Sequence, residues 1–513
     1  MTGDWPSTSL LDPEVLVDPT RRIEILNLTA AESLLLGADR GGELMLVGEG
    51  ERSVRQMVDQ AMARAKGMVA EGLEPGERIM LCLPSSTELI VWAWAVVLAG
   101  GSLVMVSARN TEYEVKRSAS IADARWVITT KTGDDWLTPE EAQRKFHTSK
   151  PVEVPTSQPD WESACFATSG TTGTAKLARF DNRLFSAQAI SYQHVIAGGM
   201  DDVIVFPQPL VHIAFVAQVH FPLVQGRRLI VVPEFHAQTV VDVAADCKAT
   251  VISAVPTMWR LLLDRTDFGR RRLPLRRCTY AAAPMPAQLA REMIETAKCE
   301  IVHAYGLTEA GGVMTMLGPA KAVNKAGSAG SLLAPQEEMI ICDPRTGIRL
   351  DHGVTGEVCL RGPAATLGYI GQTEATNQLW QGDLLHTGDL GYIDSDGDLW
   401  ISGRLKDQIN RGGLKIGARE VESVIEDIDG VTGVGVVGVP DPVLGERVNA
   451  VVEADTAKLK PDMVRSFAAG RLSDYKVPDR VVVVPELPRN AMGKVDKQAL
   501  RRILRSDHAP QSG

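Results

Sequence analysis

Short apolar runs suited to β-strands alternate with helical stretches through most of this 513-residue chain. In the middle of the chain, the candidate strands are 203–206, 228–232, 250–254, 277–280 and 300–304. Helical patterns such as 286–297 separate several of them, and a nearly all-apolar helix over 87–99 follows an earlier strand candidate at 78–84. Since parallel strands need crossover connections, usually helices, this alternation predicts an α/β fold with helices on the faces of parallel sheets.

The character of the sequence changes twice after this alternating region. From about 335 to 402, short strands and Gly/Asp turns predict a β-rich, barrel-like unit. After Arg404 the pattern becomes that of a smaller α+β piece. Because 513 residues exceed the usual size of one domain, we expect an N-terminal domain over 1–404 and a C-terminal domain over 405–513, with a hinge near 404–407.

Net charge and cysteine usage argue against several classes of protein. The formal net charge is −10, which argues against a partner that is nucleic acid or an anionic membrane. The seven cysteines include no CxxC pair, as expected of a reducing compartment without disulfides or a zinc site. The N-terminus lacks the pattern of a signal peptide, and the apolar stretch 89–99 is too short to span a bilayer. We therefore expect a cytoplasmic protein.

A loop rich in glycine and hydroxyl side chains lies at 166–181, FATSGTTGTAKLARFD. Gly170 and Gly173 allow positive φ angles and a close approach of the backbone to an anion. The donors around them are Thr168, Ser169, Thr171, Thr172, Thr174 and Lys176. The loop is not a Walker A loop, because GxxxxGK followed by Ser or Thr is missing. Such a density of donors indicates a phosphate-binding loop of another kind.

Three further segments carry side chains suited to a nucleotide site. In HAYGLTEAGG, the hydroxyl of Thr308 precedes the carboxylate of Glu309, and this pair suits a site for Mg²⁺ and phosphate. In HTGDLG, Asp389 is suited to bind a pair of ribose hydroxyls. In LPRNAMGKVDKQALRR, Lys494 follows a glycine turn and precedes a basic helix. Taken alone, this lysine would be an ordinary solvated side chain.

Two other segments imitate ligand-binding motifs. GVGVVG at 433–438 matches GxGxxG, but it lies inside a β-branched run that ends at Pro440 and opens no helix, so we predict a strand. DSDGD at 394–398 is similar to the start of a calcium loop. Leu405 stands where the twelfth loop position needs Glu, so we predict a tight turn instead.

Taken in order, the motifs resemble those of the adenylate-forming superfamily, which includes acyl-CoA synthetases, peptide-synthetase adenylation domains and luciferases. TSGTTGTAKL resembles its phosphate loop, YGLTE its magnesium motif, TGD its ribose motif, GRLKD its hinge, and GK at 493–494 its catalytic lysine. The resemblance runs from about residue 45 to 503. GRLKDQINRGGLK, VPDPVLGERV and YKVPDRV are most similar to the aryl-acid–AMP ligases. The resemblance to this superfamily implies a large N-terminal domain and a small mobile C-terminal domain.

The resemblance implies ATP and Mg²⁺ as cofactors, a carboxylic acid as substrate, and AMP and pyrophosphate as products. The β- and γ-phosphates would be held by Thr168, Ser169, Gly170, Thr171, Thr172, Gly173 and Lys176. The adenine would lie by Ala282, Ala283, Pro284, His303, Ala304 and Tyr305. The ribose would bind Asp389 and Arg404. Thr308 would contact the α-phosphate, and Glu309 would hold Mg²⁺.

Catalytic and acid-binding roles also follow from the resemblance. Lys494 would bridge the acyl carboxylate and the α-phosphate in the first half-reaction, and Lys406 would be the pivot of the C-terminal domain. His212 would lie at the mouth of the acid pocket. The residues expected to line that pocket are His212, Ile213, Phe215, Gly306 and Gly311.

Four departures from the family pattern affect these expectations. The phosphate loop ends in TAKL where PKG is usual, and the adenine segment reads AAAP where GGAP is common. Ile213 replaces the Asn that follows the pocket histidine in catechol-type ligases, so 2,3-dihydroxybenzoate is a doubtful substrate. Phe215 replaces a common Gly, and its ring would shorten the pocket in favour of a compact aromatic or cyclic acid. The alternative for Phe215 is ordinary core packing.

The second substrate stays open at the level of sequence. The acceptor would be coenzyme A, the pantetheine of a carrier protein, or an amine that gives an amide. Arg411 and Lys415, beside Gly412 and Gly413, lie where the family's thiol tunnel opens, although basic residues there are often ordinary surface residues. A non-catalytic adenylate-binding protein is the rival class. The presence of Lys494 and Glu309 favours an enzyme.

Overall fold

The computed structural model describes residues 7–506, apart from 134, 169–175, 284, 286, 413 and 490–493. The strands of the first part are β1 Glu43–Leu46, β2 Gly50–Ser53, β3 Arg78–Cys82, β4 Ser102–Met105, β5 Ala124–Thr129, β6 Trp136–Leu137, β7 Glu162–Thr168, β8 Lys176–Asp181, β9 Val203–Phe206, β10 Arg228–Val231, β11 Val251–Ala254, β12 Arg277–Ala281 and β13 Glu300–Leu307. The strands that follow are β14 Gly312–Leu317, β15 Ser331–Leu332, β16 Glu338–Cys342, β17 Gly356–Arg361, β18 Gly368–Tyr369, β19 Trp380–Gln381, β20 Leu384–Ile393, β21 Leu399–Arg404, β22 Gln408–Arg411, β23 Leu414–Gly417, β24 Val431–Asp441, β25 Gly445–Ala454 and β26 Arg480–Val484.

Helices connect most of these strands. They are α1 Pro13–Leu16, α2 Arg22–Leu26, α3 Ala30–Gly37, α4 Val54–Ala70, α5 Thr87–Leu98, α6 Glu112–Ala122, α7 Pro139–Lys145, α8 Arg183–Ile196, α9 Phe221–Gln225, α10 Ala237–Asp246, α11 Pro256–Arg265, α12 Ala287–Ala297, α13 Pro319–Ala322, α14 Thr373–Leu379, α15 Ala418–Glu426, α16 Pro461–Ala469 and α17 Lys497–Ser506. The predicted alternation of strand and helix is therefore confirmed.

Two largely parallel sheets form the bulk of the N-terminal part. One has nine strands in the order β15-β14-β13-β12-β11-β9-β10-β1-β2, and it is parallel from β13 through β1. The other has seven strands in the order β18-β8-β7-β4-β3-β5-β6, and it is parallel from β7 to β6. Antiparallel strands such as β14 and β8 occur only toward the edges of these sheets among the described residues. The predicted α/β class is thus confirmed.

The main hydrophobic core takes residues from both parallel sheets and from the helices around them. Helix α5 contributes ten consecutive buried residues, from Leu89 to Leu98, because its sequence has no polar face after Glu88. Residues from β1 and β9 of one sheet and from β3 and β4 of the other belong to the same cluster. Across the described ranges, no helix is long and apolar enough to cross a membrane.

A third and a fourth sheet follow, one on each side of residue 405. The third has the order β16-β17-β20-β19 with β21 beside β20, as expected for a β-rich unit. The fourth has the order β23-β22-β25-β24 with β26 beside β25. A short 3-10 turn, Leu405–Asp407, joins β21 of the third sheet to β22 of the fourth. GVGVVG lies inside β24, so the predicted strand is confirmed.

Two lysines from elsewhere in the chain contact the three carboxylates of the acidic turn DSDGD. The ammonium group of Lys325 lies 2.8 Å from Asp394, 2.7 Å from Asp396 and 2.5 Å from Asp398. The Lys321 ammonium approaches Asp398 at 2.7 Å. The Gly397 amide donates to the Asp394 carbonyl at 3.0 Å, which confirms the predicted tight turn, and the two lysine cations offset most of its negative charge.

Candidate active site

The phosphate loop connects two antiparallel strands. Thr168 is the last residue of β7, Lys176 is the first residue of β8, and the two residues are paired across the hairpin. A Walker A loop instead leads from a strand into a helix. This loop therefore differs from a Walker A loop in its backbone structure as well as in its sequence. The remaining predicted loop residues lie outside the described residues: Ser169, Gly170, Thr171, Thr172 and Gly173.

Tyr369 links the phosphate lysine to the predicted magnesium carboxylate. Its hydroxyl donates a hydrogen bond of 2.7 Å to Glu309 Oε1, and the ammonium of Lys176 lies 4.8 Å from the centre of its ring. Burial, and then the charge of Glu309, raises the pKa of the Tyr369 phenol, so the hydroxyl remains a donor at neutral pH. The ring is placed to attract the lysine cation.

The oxygen atoms offered by the residues that follow β13 are of the kind that binds a magnesium ion. Thr308 and Glu309 form a 3-10 turn that begins directly after this strand. They offer a hydroxyl and a carboxylate oxygen, and Mg²⁺ is typically bound by one or two carboxylates together with substrate phosphates. Glu309 is therefore the residue that would hold Mg²⁺, with the Thr308 hydroxyl beside it for the phosphate.

The glycines beside this turn permit very close backbone packing. A Cβ atom on Gly306 would lie 1.7 Å from the carbonyl oxygen of Gly312. A Cβ atom on Gly311, where φ is +81°, would lie 2.1 Å from the carbonyl oxygen of Ala364. A side chain cannot occupy either place, so these positions need glycine whatever their role toward the acid.

Asp389 is a buried carboxylate held by two predicted nucleotide residues. It is 3% exposed; its Oδ2 accepts a 2.6 Å hydrogen bond from the Tyr305 hydroxyl, and Arg404 Nε lies 2.7 Å from its Oδ1. Asp389 and Arg404 are paired residues of β20 and β21, whereas Tyr305 comes from β13. The structure therefore brings these three predicted residues together where two sheets meet.

The predicted adenine segment is built on two neighbouring strands. The rings of Tyr280, near the end of β12, and His303, in β13, stack 4.5 Å apart with an angle of 9° between them. His303 Nδ1 lies 2.8 Å from the carbonyl oxygen of Ser328, and burial lowers the pKa of His303 to about 4. The imidazole is therefore neutral at pH 7 and donates from Nδ1.

The alanines that are predicted to lie beside the adenine are close to this stack in the sequence. Ala282 has a φ of +70°, in the region that favours glycine, and Ala283 follows it. Ala304, beside His303 in β13, is buried at 4% exposure. Pro284 lies outside the described residues.

Lys494 of the C-terminal part lies among charged residues of the N-terminal part. Burial lowers the pKa of Lys494 most, the positive charges of Arg404 and Lys406 lower it further, and the carboxylates of Asp389 and Glu309 act in the opposite direction. Lys406 is in a similar field, because burial and then Arg404 lower its pKa. Lys494 therefore lies near charged residues of β20, of β21 and of the 3-10 turn that follows β13.

His212 is also part of this electrostatic group. Burial, followed by the charge of Lys494, lowers the pKa of His212 to about 4, so its ring is neutral at pH 7. Ile213 packs at the edge of the main core, and Phe215 lies inside that core at 1% exposure. The role of Phe215 as the floor of an acid pocket stays a prediction.

Arg411 is bound within the C-terminal part. Its guanidinium contacts Asp479 Oδ1 and donates to the Tyr475 carbonyl oxygen, both at 2.8 Å. Gly413 and the side chain of Lys415 lie outside the described parts of the chain. Arg411 therefore serves to hold two segments of its own domain together in this conformation.

The sequence analysis did not identify Tyr369, Tyr280 or Gln188 as parts of the site. Gln188 of α8 accepts from the Val313 amide at 3.1 Å and donates to the Val313 carbonyl at 3.3 Å, beside the glycine turn. Tyr369 is 60 residues from Glu309 in sequence and reaches it because β18 pairs with β8. No local motif could have revealed these contacts, since pairing of distant segments creates them.

Comparison with known proteins agrees with this arrangement. Residues 38–370 match the AMP-binding enzyme family, and residues 420–494 match the AMP-binding enzyme C-terminal domain. The long-chain-fatty-acid–CoA ligase FadD13 of Mycobacterium tuberculosis is 30% identical over 87% of this chain and 92% of its own. The 3-[(3aS,4S,7aS)-7a-methyl-1,5-dioxo-octahydro-1H-inden-4-yl]propanoyl:CoA ligase of the same species is 31% identical over 87% of this chain and 93% of its own.

Solved structures show the same architecture. ATP-bound MatB from Rhodopseudomonas palustris superimposes with a TM-score of 0.84 at 27% identity, covering 94% of this chain and 99% of MatB. The apo form of MatB covers the same shares at 26% identity, with a TM-score of 0.74. The motifs, the two matched domains and the shared architecture together establish that this chain belongs to the AMP-binding enzyme family, within the adenylate-forming superfamily.

Proposed function

We propose that this enzyme activates a compact aromatic or cyclic carboxylic acid with ATP and transfers the acyl group to the thiol of coenzyme A. ATP-dependent activation of an acid, with AMP as a product, is the common chemistry of the ligases in this family. The observation that carries the proposal is the placement of Lys494 beside Arg404, Asp389 and Glu309. We infer that a nucleotide phosphate and a carboxylate would meet among these charges.

The first half-reaction forms an acyl-adenylate. A carboxylate oxygen attacks the α-phosphorus of ATP, the bond to the bridging oxygen breaks, and pyrophosphate leaves. Such transfers depend chiefly on positioning and on stabilisation of negative charge. Lys494 would supply positive charge to the carboxylate and the α-phosphate, and Lys176 to the leaving pyrophosphate. Mg²⁺ held by Glu309 would offset phosphate charge when it is bound.

Asp389 and Arg404 would position the ribose. The Asp389 carboxylate, already oriented by Tyr305 and Arg404, offers acceptor oxygens to a pair of hydroxyls. The neutral His303 ring would present a polar edge to adenine without adding charge. A fixed nucleotide leaves the α-phosphorus as the group that the incoming acid approaches.

The second half-reaction needs another face of the C-terminal domain. The acyl-adenylate carbonyl would be attacked by a thiolate sulfur, and AMP would leave as the thioester forms. Lys494 occupies the site in the present arrangement, so we propose that the domain turns about Leu405–Asp407 before the thiol enters. The better superposition on ATP-bound MatB than on apo MatB supports assigning the present arrangement to the adenylation step.

The identity of the acid rests on Phe215 and Ile213. Phe215 is a full aromatic ring buried in the core two residues beyond Ile213 and three beyond His212, so it would limit the depth available to an acyl chain. The two relatives described above carry names that refer to a long-chain fatty acid and to a bicyclic propanoate. Family membership alone therefore leaves the size and shape of the acid substrate open. The bulky ring at 215 favours the compact class.

Coenzyme A is the proposed acceptor because both of these relatives are named as CoA ligases. Carrier-protein pantetheine offers the same thiol, and an amine would give an amide at the same carbonyl. These acceptors are distinguished by experiment.

Pyrophosphate release, measured with a panel of acids, tests the proposal. The panel should include benzoates, cyclic acids and fatty acids of increasing length, each assayed with ATP and Mg²⁺ alone and then with coenzyme A, a pantetheinylated carrier protein or a primary amine. We expect acid-dependent release with compact acids and a thioester product with coenzyme A. Protein that binds ATP but releases no pyrophosphate with any acid would support a non-catalytic role. Formation of an amide, and not of a thioester, would mean that the acceptor is an amine.

A further inference from the structure

Two cysteines lie in contact at the start of the strands that lead to the nucleotide site. The sulfur atoms of Cys278 and Cys299 are 3.4 Å apart. Cys278 is in β12, two residues before Tyr280, and Cys299 directly precedes β13, which carries His303. All seven cysteines of the chain are free thiols.

The two thiols differ in their access to solvent. Cys278 is fully buried in the core beneath α12, whereas Cys299 is partly exposed. Cys299 lines a surface pocket of about 540 Å³ that lies between α12 and α13. The side chains around this opening include Ile294, Lys298 and Val323. A small neutral molecule could therefore reach Cys299 but not Cys278.

The surroundings favour the reactive form of Cys299. Its pKa is lowered, chiefly by its hydrogen bonds with Cys278. Burial and the charge of Glu300 oppose this change, and the charge of Arg276 adds to it. Burial raises the pKa of Cys278, so Cys299 is the thiol of this pair that loses its proton first. Thiolates are the reactive nucleophiles among cysteines.

We propose that Cys278 and Cys299 form an oxidisable dithiol in which Cys299 reacts first with a small hydroperoxide and Cys278 then closes an intramolecular disulfide. The Cys299 sulfur attacks one peroxide oxygen, the O–O bond breaks, and the sulfur becomes a sulfenic acid as hydroxide leaves and is protonated to water. The Cys278 sulfur then attacks the Cys299 sulfur, the S–O bond breaks, and a second water leaves with the Cys278 proton. Two thiols lose two electrons, and hydrogen peroxide is reduced to two waters.

The chain provides two comparisons within the same molecule. Cys247 is also partly exposed, but burial is the main cause that raises its pKa, and its sulfur lies 3.5 Å from the thioether of Met45. Cys342 and Cys359 form a second neighbouring pair, but they are 1% and 0% exposed. The proposal requires both access and a neighbouring thiol, which these residues do not combine.

The test treats the full-length protein with increasing hydrogen peroxide, blocks the remaining thiols with a maleimide and maps the digest by mass spectrometry without reduction. We expect a peptide pair joined through Cys278 and Cys299, with the loss of two hydrogens, before any change at Cys342 and Cys359. Under limiting maleimide, Cys299 should be labelled on the order of tenfold faster than Cys247.

Variants separate the two steps. In Cys278→Ala, we expect Cys299 to stop at a sulfenic acid that a dimedone probe captures, and in Cys299→Ser we expect Cys278 to resist peroxide. Circular dichroism and the melting temperature would establish that both variants fold, and Cys247→Ser is the control that should leave the linked peptide unchanged. First reaction at Cys247, or oxidation of Cys299 in the unaltered protein without linkage to Cys278, would overturn the proposal.

Discussion

Tyr369 connects two residues that the motifs identify, although no motif contains it. Its hydroxyl holds Glu309 and its ring faces Lys176, so one side chain contacts both the proposed magnesium ligand and a proposed phosphate-binding lysine. Sequence reasoning found Glu309 and Lys176 from their neighbours in the chain. The tyrosine between them could not be found in that way, because the contact depends on the pairing of β18 with β8.

Replacing Tyr369 should weaken the use of magnesium and ATP. Tyr369→Phe removes the hydrogen bond to Glu309 and keeps the ring beside Lys176, so kcat/KM for ATP should fall about tenfold and half-saturation should need more Mg²⁺. Tyr369→Leu removes both contacts, so its kcat/KM for ATP should be lower still. Tyr392→Phe, at a tyrosine stacked on Trp400, is the matched control. An unchanged magnesium dependence in Tyr369→Phe would show that the hydroxyl does not position Glu309.

Phe215 is the residue on which the proposed preference for a compact acid depends. Phe215→Leu should shift kcat/KM toward longer acids by about tenfold, because a smaller side chain deepens the pocket by roughly a methylene or two. Phe268→Leu changes a similarly buried ring in a core cluster separate from that of Phe215, and it serves as the stability control. The measurement is pyrophosphate release across a series of acids of increasing length. If both variants keep the original acid profile, Phe215 is a core residue only.

At the scale of elements, periodicity predicts most of the regular structure. The strand predicted at 203–206 is observed at Val203–Phe206, and the helix predicted at 87–99 is observed at Thr87–Leu98, because long apolar runs leave few alternatives. The β7–β8 hairpin around the phosphate loop was not predicted, since a glycine-rich segment carries no signal for the direction in which the chain continues. The stack of Tyr280 on His303 likewise depends on the register of β12 and β13.

The end of β12 holds an alanine in a conformation suited to glycine. Ala282 has a φ of +70°, which costs about 1 kcal/mol for a residue with a Cβ atom. Ala282→Gly should therefore raise the free energy of unfolding by about 0.5–1 kcal/mol. Ala281→Gly, one residue earlier within the strand, should lower it by about 0.5–1 kcal/mol. Urea unfolding of both variants measures the difference, and equal destabilisation by the two would contradict the strain at Ala282.

At the scale of the whole molecule, acid should destabilise the fold through its buried histidines. Burial lowers the pKa of His220 to about 3, and this ring is 2% exposed, with Nε2 2.8 Å from the Ser33 hydroxyl. The unfolded chain has a histidine pKa of about 6.5 and therefore binds the extra proton between these values. The stability that depends on neutral His220 is complete above about pH 6.5 and is lost progressively as the pH falls toward 3.

The size of this acid effect can be measured with a matched pair of variants. Between pH 7 and pH 5, the unaltered protein should lose up to about 2 kcal/mol more free energy of unfolding than His220→Gln, because only the histidine takes up a proton on unfolding. His236→Gln, at an exposed histidine, should follow the unaltered protein. Urea unfolding at the two pH values gives the comparison. Parallel losses in the protein with and without His220 would show that this ring is already protonated in the fold.

The arrangement of the two large parts of the molecule could be predicted only in outline. The change of sequence character near Arg404 coincides with the passage from the third sheet to the fourth, as the composition of short strands and turns suggested. That Lys494 faces Glu309 and Asp389 depends on how the fourth sheet packs against the others. Contacts such as that of the Arg489 guanidinium with the Thr257 hydroxyl, at 3.5 Å, contribute to that packing, and no local pattern specifies them.

Lys494→Ala tests whether this arrangement serves one half-reaction only. In the proposed mechanism Lys494 supplies charge while the adenylate forms, so its loss should lower pyrophosphate release by at least about a hundredfold. Transfer from a preformed acyl-adenylate to coenzyme A should change by less than about threefold, since the lysine leaves the site when the C-terminal domain turns. Lys458→Ala, at a lysine whose side chain is 86% exposed, is the control for both assays. Equal losses in the two half-reactions would mean that Lys494 stays in the site throughout, and the rotation about Leu405–Asp407 would have to be abandoned.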